Sequence, residues 1–142
     1  MTQTKVFLDT NLVIDFVAQR EPFNKYADLI FLLIQDRKIL GFSSALTIAT
    51  TQFIIQKQFS KSKCLQVLKL LTNVLEIISF EKVDIEKSLL KQDFIDIEDL
   101  FQYQMALKAG MDCIVTRDKN GFDKKGKIKI YSPEEFLDTL SF

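Results

Sequence analysis

The chain has 142 residues, the usual length of one domain, and predicts a single domain over residues 1–142. Its 19 basic and 19 acidic residues balance, so the bulk positive charge of many nucleic-acid-binding proteins is absent. The sequence contains no His, which excludes Ser-His-Asp catalysis, Cys-His catalysis and zinc sites built on imidazole.

Five short apolar runs predict strands, at residues 5–8, 39–43, 75–80, 113–115 and 128–131. Helical patterns lie between them: one from Pro22, one from Ser44 through Gln58, one capped by Ser60 or Ser62, one at 84–92, one at 97–109 and one from Ser132. Strands that alternate with helices imply crossover connections and a parallel sheet with helices on both faces. We therefore expect an α/β/α sandwich with a central, mostly parallel sheet of four to five strands.

The cysteines and the apolar runs bear on the compartment. Cys64 and Cys113 stand far apart in apolar surroundings and form no Cys-x-x-Cys pair, as is typical of reduced core thiols in a cytosolic protein. No apolar run approaches the about 20 residues that span a bilayer, and the N-terminus has no signal-peptide pattern. The sequence predicts a cytoplasmic protein without a membrane partner.

Four acids are placed to act together, because ligands of a parallel sheet bind beyond the carboxyl ends of its strands. Asp9 closes the first strand, and Asp118 follows the fourth. Asp96 and Asp99 begin the helix that leads into the fourth strand, and their spacing places them on one face of it. Carboxylates without His or Cys suit Mg²⁺ or Mn²⁺, which can activate water for attack on phosphorus.

Each acid also has a structural interpretation. Asp96 and Asp99 could form the capping box of their helix, Asp9 could cap a helix after the first strand, and Asp118 could be a turn residue. Asp15 is expected to face solvent or to cap, and we leave it out of the predicted site. The metal-site hypothesis rests on the joint pattern of the other four acids.

The same segments carry a family resemblance. The opening, residues 6–15 (VFLDTNLVID), resembles the start of a PIN domain. Matching segments follow in order: 43–48 (SSALTI), 96–103 (DIEDLFQY), 114–118 (IVTRD) and 132–137 (SPEEFL). The ordered set covers nearly the whole chain and is similar to the small bacterial PIN proteins that include the toxin ribonucleases of toxin–antitoxin pairs.

This resemblance implies a Mg²⁺- or Mn²⁺-dependent endoribonuclease, usually a homodimer, that is silenced by a cognate antitoxin protein. It places the catalytic, metal-binding acids on Asp9, Asp99 and Asp118, with Asp96 nearby as a further metal ligand. Asn11 and Thr116 would support the first and last of these acids.

One feature departs from the family pattern. Many PIN nucleases carry a Glu early in the helix after the second strand, where this chain has Ala49-Thr50-Thr51. Thr50 could reach the site through its hydroxyl, but a hydroxyl does not replace a charge, so metal binding should be weaker. A non-enzymatic alternative therefore stays open: a PIN-like module that acts only by binding protein or RNA.

Two other enzyme and signalling classes fit less well. A haloacid-dehalogenase-type phosphatase needs a second Asp where this chain has Asn11. A phospho-receiver domain needs an Asp at the end of a central strand, whereas the third strand here ends in Ser79-Phe80-Glu81.

The segment from Asp118 to Lys127 is a basic loop. Its side chains, together with Arg117, are candidates for contacting the RNA backbone, and a solvated surface loop is the alternative. The predicted RNA-binding residues are Arg117, Lys119, Lys124 and Lys125, with Lys127 and Lys129 close by.

Overall fold

The computed structural model describes residues 3–91, 96–122 and 126–140. Its strands are β1 (Lys5–Leu8), β2 (Leu40–Ser44), β3 (Glu76–Ile78), β4 (Cys113–Val115) and β5 (Lys129–Tyr131). Its helices are α1 (Thr10–Val17), α2 (Asn24–Gln35), α3 (Ala45–Ile55), α4 (Lys61–Val74), α5 (Lys82–Leu89), α6 (Ile97–Lys108) and α7 (Pro133–Asp138), with a 3₁₀ turn at Lys119–Gly121.

The five strands form one parallel sheet in the order β3-β2-β1-β4-β5. The prediction of a mostly parallel sheet with four to five strands is confirmed. The chain first builds the sheet outward from β1 through β2 to β3, and then returns to the other side of β1 for β4 and β5. The direction of winding therefore reverses between β1 and β4, where open α/β sheets form a ligand crevice.

Alternating side chains of the central strand supply a core on each face of the sheet. Val6 and Leu8 pack with α1, α2, α4 and α7, while Phe7 packs with α6 on the opposite face. Buried apolar residues on both faces explain why β1 lacks an apolar–polar alternation. The three-layer arrangement follows.

The first residues of two helices differ from the predicted ones, because local hydrogen bonds decide where each helix begins. The helix expected at Pro22 begins at Asn24, because the Asn24 N–H closes a turn on the Arg20 carbonyl. The helix expected from residue 84 begins at Lys82, because Glu81 and Asp84 form a capping box; its predicted end at Gln92 lies outside the described residues.

Two further expectations concern α3 and α4. The helix expected through residue 58 ends at Ile55. On α4, Ser60 is the cap, and Cys64 and Leu71 are buried whereas Leu65 is half exposed. Both cysteines are free and buried, and burial raises the pKa of the Cys113 thiol to about 12. None of the described helices is long and apolar enough to cross a membrane.

Candidate active site

The candidate site lies where β1 and β4 end side by side. Leu8 is paired with Val115, and the Asp9 N–H extends the pairing by donating to the Val115 carbonyl at 3.1 Å. Asp9 then caps α1 and Thr116 leaves β4, so both side chains emerge at the crevice between the two strands. The sequence pattern placed Asp9 at the end of the first strand, and the family resemblance placed Thr116 beside Asp118.

Asp9 is buried and held by three donors. Its Oδ1 accepts from the Thr10 N–H at 2.9 Å, and its Oδ2 accepts from the Thr116 hydroxyl at 2.7 Å and the Asn11 amide at 3.4 Å. The cap interpretation of Asp9 is therefore correct as a local description, yet one carboxylate oxygen still points away from the helix toward β4.

Thr116 connects the residues of this corner. Its oxygen accepts from the Asn11 amide at 3.2 Å and from the Asp118 N–H at 3.0 Å, while the Asn11 carbonyl oxygen accepts from the Arg117 N–H at 3.3 Å. Thr116 is fully buried and Asp118 is exposed at the rim. The predicted supporting residues thus fix the backbone that carries Asp118.

The two acids of α6 have different environments. Asp96 is the N-cap: its Oδ1 accepts from the N–H groups of Glu98 (2.8 Å) and Asp99 (3.2 Å). Asp99 is 8% exposed, and its Oδ2 is buried with no hydrogen-bond partner among the described residues. Since α6 has no reciprocal capping box, the cap interpretation explains Asp96 but not Asp99.

Gly121 brings the 3₁₀ turn against Asp99. A Cβ at this position would overlap Asp99 Oδ2 and would lie 3.1 Å from Asp118 Oδ2. The carboxylates of Asp99 and Asp118 therefore lie beside the same glycine, although α6 and the turn come from different parts of the chain. Sequence reasoning treated Gly121 only as a loop residue.

Burial and mutual repulsion perturb the two buried acids. Desolvation raises the pKa of Asp9 to about 6, partly opposed by the hydrogen bonds from Thr116 and Thr10. Desolvation also raises the pKa of Asp99 to about 7, and the charge of Asp9 adds most to that rise after burial. Both carboxylates are thus difficult to ionise unless a cation compensates them.

The donor set fits a hard divalent cation in its chemistry. All the candidate ligands are carboxylate oxygens, and Asp99 Oδ2 is an unpartnered buried acceptor of the kind that demands an explanation. Within residues 3–91, 96–122 and 126–140, however, no group of three or more acids or cysteines already has an arrangement that could hold an ion. The acids match the cation by type and charge, and their ligand geometry is not preformed.

One expectation from the sequence is wrong. Asp15 does not face solvent: it is fully buried, and its carboxylate accepts from Arg117 Nε at 2.6 Å and Nη2 at 3.1 Å. The guanidinium also stacks over the Phe23 ring at 3.9 Å, and contact between Arg117 and RNA stays a prediction. The apolar neighbours of Asp15 in α1 were the signal that it is internal, but its partner 102 residues away was not visible.

The remaining predicted residues are less closely tied to the acids. Thr50 is half-buried on α3 and makes no described hydrogen bond. Lys119 pairs with Glu135 at 2.8 Å. Lys124 and Lys125 lie outside the described residues. Beside Asp118, an open groove of about 680 Å³ is lined by Arg117, Lys119, Lys127 and Lys129, among others.

The family profile of the PIN domain matches residues 5–120, and the chain belongs to this family. The assignment replaces the phosphatase and receiver alternatives. Among named relatives, the chain is 32% identical over 142 residues to ribonuclease VapC1 of Aquifex aeolicus (strain VF5), covering 97% of this chain and 96% of that protein.

Solved structures share the fold at low sequence identity. VapBC from Salmonella typhimurium, bound to DNA, aligns with a TM-score of 0.68 at 19% identity, over 92% of this chain and 99% of that one. VapC20 of Mycobacterium tuberculosis, described as a sarcin-ricin-loop-cleaving toxin, aligns with a TM-score of 0.62 at 13% identity, over 84% of this chain and 91% of that one.

We predict that Asp99→Asn separates repulsion from metal binding. In EDTA at pH 8 the variant should melt about 2–4 °C above the wild type, because the substitution removes a buried charge and its repulsion by Asp9, and this shift corresponds to about 1 kcal/mol. Mn²⁺ should raise the melting temperature (Tm) of the wild type by several degrees and that of the variant much less. Asp36→Asn, at an exposed acid after α2, is the matched control and should respond to Mn²⁺ as the wild type does. An equal Mn²⁺ gain in Asp99→Asn would contradict the assignment.

We also predict that Gly121→Ala impairs metal binding without removing a ligand. The added methyl group meets the Asp99 carboxylate, so Mn²⁺ affinity measured by calorimetry should fall about 10-fold or more. Gly41→Ala is the control, because its methyl group would meet Ile34 and Leu75 in the core. That variant should lose stability but keep its Mn²⁺ affinity, and an equal affinity loss in both variants would refute the specific contact.

Proposed function

We propose that the protein is a metal-dependent endoribonuclease that hydrolyses RNA phosphodiester bonds and serves as the toxin of a toxin–antitoxin pair. The observation that carries the proposal is the buried, unpartnered Asp99 oxygen beside Asp118, at the strand-end crevice that holds Asp9. Family membership and the similarity to a protein named a ribonuclease support the RNA substrate.

We assign the site residues to two roles, metal binding and orientation of the metal ligands. Asp9, Asp99 and Asp118 would hold Mg²⁺ or Mn²⁺, with Asp96 as a further ligand at the start of α6. Thr116 and Asn11 fix the orientation of Asp9 through its Oδ2, and they hold the backbone of Arg117 and Asp118. When bound, the ion would supply charge stabilisation and a water of lowered pKa at the scissile phosphate.

A path for the RNA backbone is supported by the basic groove beside Asp118. Lys127 and Lys129 are exposed at its wall. Arg117 and Lys119 also line it, each already paired with a carboxylate. Lys124 and Lys125, which lie outside the described residues, stay predicted RNA contacts from the sequence. Single-stranded segments are the expected substrate, since their phosphates can reach a recessed site.

The expected partners follow from the relatives. Solved structures that share the fold include a toxin–antitoxin complex from Klebsiella pneumoniae and VapBC2 from Rickettsia felis bound to a fragment of promoter DNA. We extend this to a cognate antitoxin for the present chain and to a homodimer as its own assembly. Because both cysteines are free and buried, we expect the protein and its complexes in a reducing compartment, the cytosol.

The proposal predicts metal-dependent cleavage of a mixed RNA pool that includes folded transfer RNA. Cutting should occur with Mn²⁺ or Mg²⁺, cease in EDTA, and fall about 100-fold or more in Asp9→Asn and Asp99→Asn, because the ion no longer stabilises the developing charge. Asp36→Asn should cut at the wild-type rate. Gel mapping of the cut sites provides the measurement.

A second candidate function is favoured by one feature, the absence of an acid at Thr50 and its neighbours in α3. If the wild type neither cuts RNA nor gains stability with Mn²⁺, the nuclease proposal fails. The protein would then be a PIN-fold module that acts by binding RNA or a partner protein. If the wild type binds Mn²⁺ but does not cut, activity on the RNAs in the pool is refuted, whereas the proposed metal site is supported.

We predict that charge reversal in the groove weakens RNA binding uniformly. Lys127→Glu with Lys129→Glu should reduce the slope of log Kd against log salt by about 0.7 for each phosphate that the groove no longer neutralises. Lys61→Glu with Lys69→Glu, two exposed positions on α4, is the matched control for net charge. An unaltered slope in the groove variant, or an equal change in both, would remove the groove from the RNA path.

A further inference from the structure

A buried polar cluster lies beneath the acids and takes no part in the function described so far. Gln102 is fully buried, and its Nε2 donates to the hydroxyls of Thr10 at 2.8 Å and Thr47 at 2.6 Å. Its Oε1 accepts from the Ser44 hydroxyl at 2.6 Å. We call Thr10, Ser44, Thr47 and Gln102 the polar clamp.

Within the polar clamp, both N–H groups and the carbonyl oxygen of the Gln102 amide have hydrogen-bond partners. Its two N–H groups reach two hydroxyls, and its carbonyl oxygen receives a third. The hydroxyls of Thr10 and Thr47 lie 2.9 Å apart, so one donates to the other, and Ser44 Oγ also accepts the Thr47 N–H at 3.1 Å. A satisfied network of this kind in a dry interior fixes the relative positions of the elements that contribute to it.

The polar clamp joins the elements that carry the two buried acids. Thr10 follows Asp9 directly at the start of α1, and Gln102 lies three residues after Asp99, on the same face of α6. Ser44 and Thr47 are the cap and first turn of α3, the helix that lacks the acid common in the family. The polar clamp therefore links α6 to both α1 and α3 through hydrogen bonds.

This placement opposes a force within the site. Asp9 and Asp99 carry like charges when ionised, both are buried, and no described hydrogen bond joins their side chains. Repulsion between them would move the start of α6 away from β1. The hydrogen bonds from Gln102 to Thr10 and Thr47 hold α6 against α1 and α3 and oppose that movement.

We propose that the polar clamp is a positioning device for the metal site, in which Gln102 holds α6, and with it Asp99, against the elements that carry Asp9. This inference rests on the proposed metal-dependent function and adds residues that contact neither metal nor RNA. Partners of this indirect kind typically change metal affinity by about 10- to 100-fold when they are removed.

The test measures Mn²⁺ binding by calorimetry in Gln102→Leu and Thr47→Val. Each should raise the Kd for Mn²⁺ by about 10- to 100-fold, and the double variant should raise it no further than the single ones. Thr47→Ser keeps the hydroxyl and should restore wild-type affinity. In cleavage assays, the Mn²⁺ concentration for half-maximal rate should rise by the same factor while the KM for RNA stays unchanged.

A second readout needs no metal. In EDTA, amide hydrogen exchange at the first turn of α6 should accelerate in Gln102→Leu and Thr47→Val, because the turn is released from α1 and α3. Gln104→Leu is the matched control: Gln104 is buried on the same helix and makes no described hydrogen bond. It should leave Mn²⁺ affinity and exchange at this turn unchanged.

The outcomes separate the two proposals. If the wild type binds Mn²⁺ and the clamp variants lose stability but keep their Mn²⁺ affinity, the polar clamp is only structural and the inference is overturned. An equal loss of affinity in Gln104→Leu would overturn it as well. If the wild type itself does not bind Mn²⁺, the proposed function fails first, and the clamp fails with it as a metal-positioning device.

Discussion

The pairing of β1 with β4 is the interaction on which the rest of the site depends. It joins segments more than 100 residues apart and places Asp9 next to the Thr116-Arg117-Asp118 turn. Because the sheet winds in opposite directions from this point, the crossover connections lead away from it on either side, and a ligand crevice forms there. The same pairing buries Asp9, which makes its negative charge unfavourable until a cation compensates it.

Around this crevice the chain uses neutral hydrogen bonds and one ion pair to hold charges that repel each other. Thr116 and Asn11 orient Asp9, Gln102 holds α6 against α1 and α3, and the Asp15–Arg117 pair fixes the turn that leads to Asp118. Arg117 contributes a bidentate pair with Asp15 and stacks on the Phe23 ring, and both contacts orient the turn.

Helix α3 carries no acid, but its first residues belong to the polar clamp. Where the family resemblance implies a carboxylate, this chain has Thr50, while Ser44 and Thr47 earlier in the same segment are built into the polar clamp. In the proposed metal site, fewer carboxylates make the geometry of those that remain more important. Hydroxyls that cannot replace the charge can still reduce the freedom of the helices that carry it.

The sequence by itself determined the parallel α/β architecture, the caps at Ser44 and Ser132, and the placement of acids at strand ends, because these depend on local pattern and on spacing along one element. It left the cap of α4 open between Ser60 and Ser62 and the role of Asp96 open between cap and ligand, and the structure has caps at Ser60 and Asp96. Only the tertiary structure decided that Asp15 is buried against Arg117, that Gly121 touches Asp99, and that Gln102 bridges three helices. Each of these contacts joins residues distant in sequence, and no local periodicity encodes which buried polar group meets which partner. The physical reason is that a buried polar group needs a hydrogen-bond partner, whereas the packing of the helices on the sheet decides which residue that partner is.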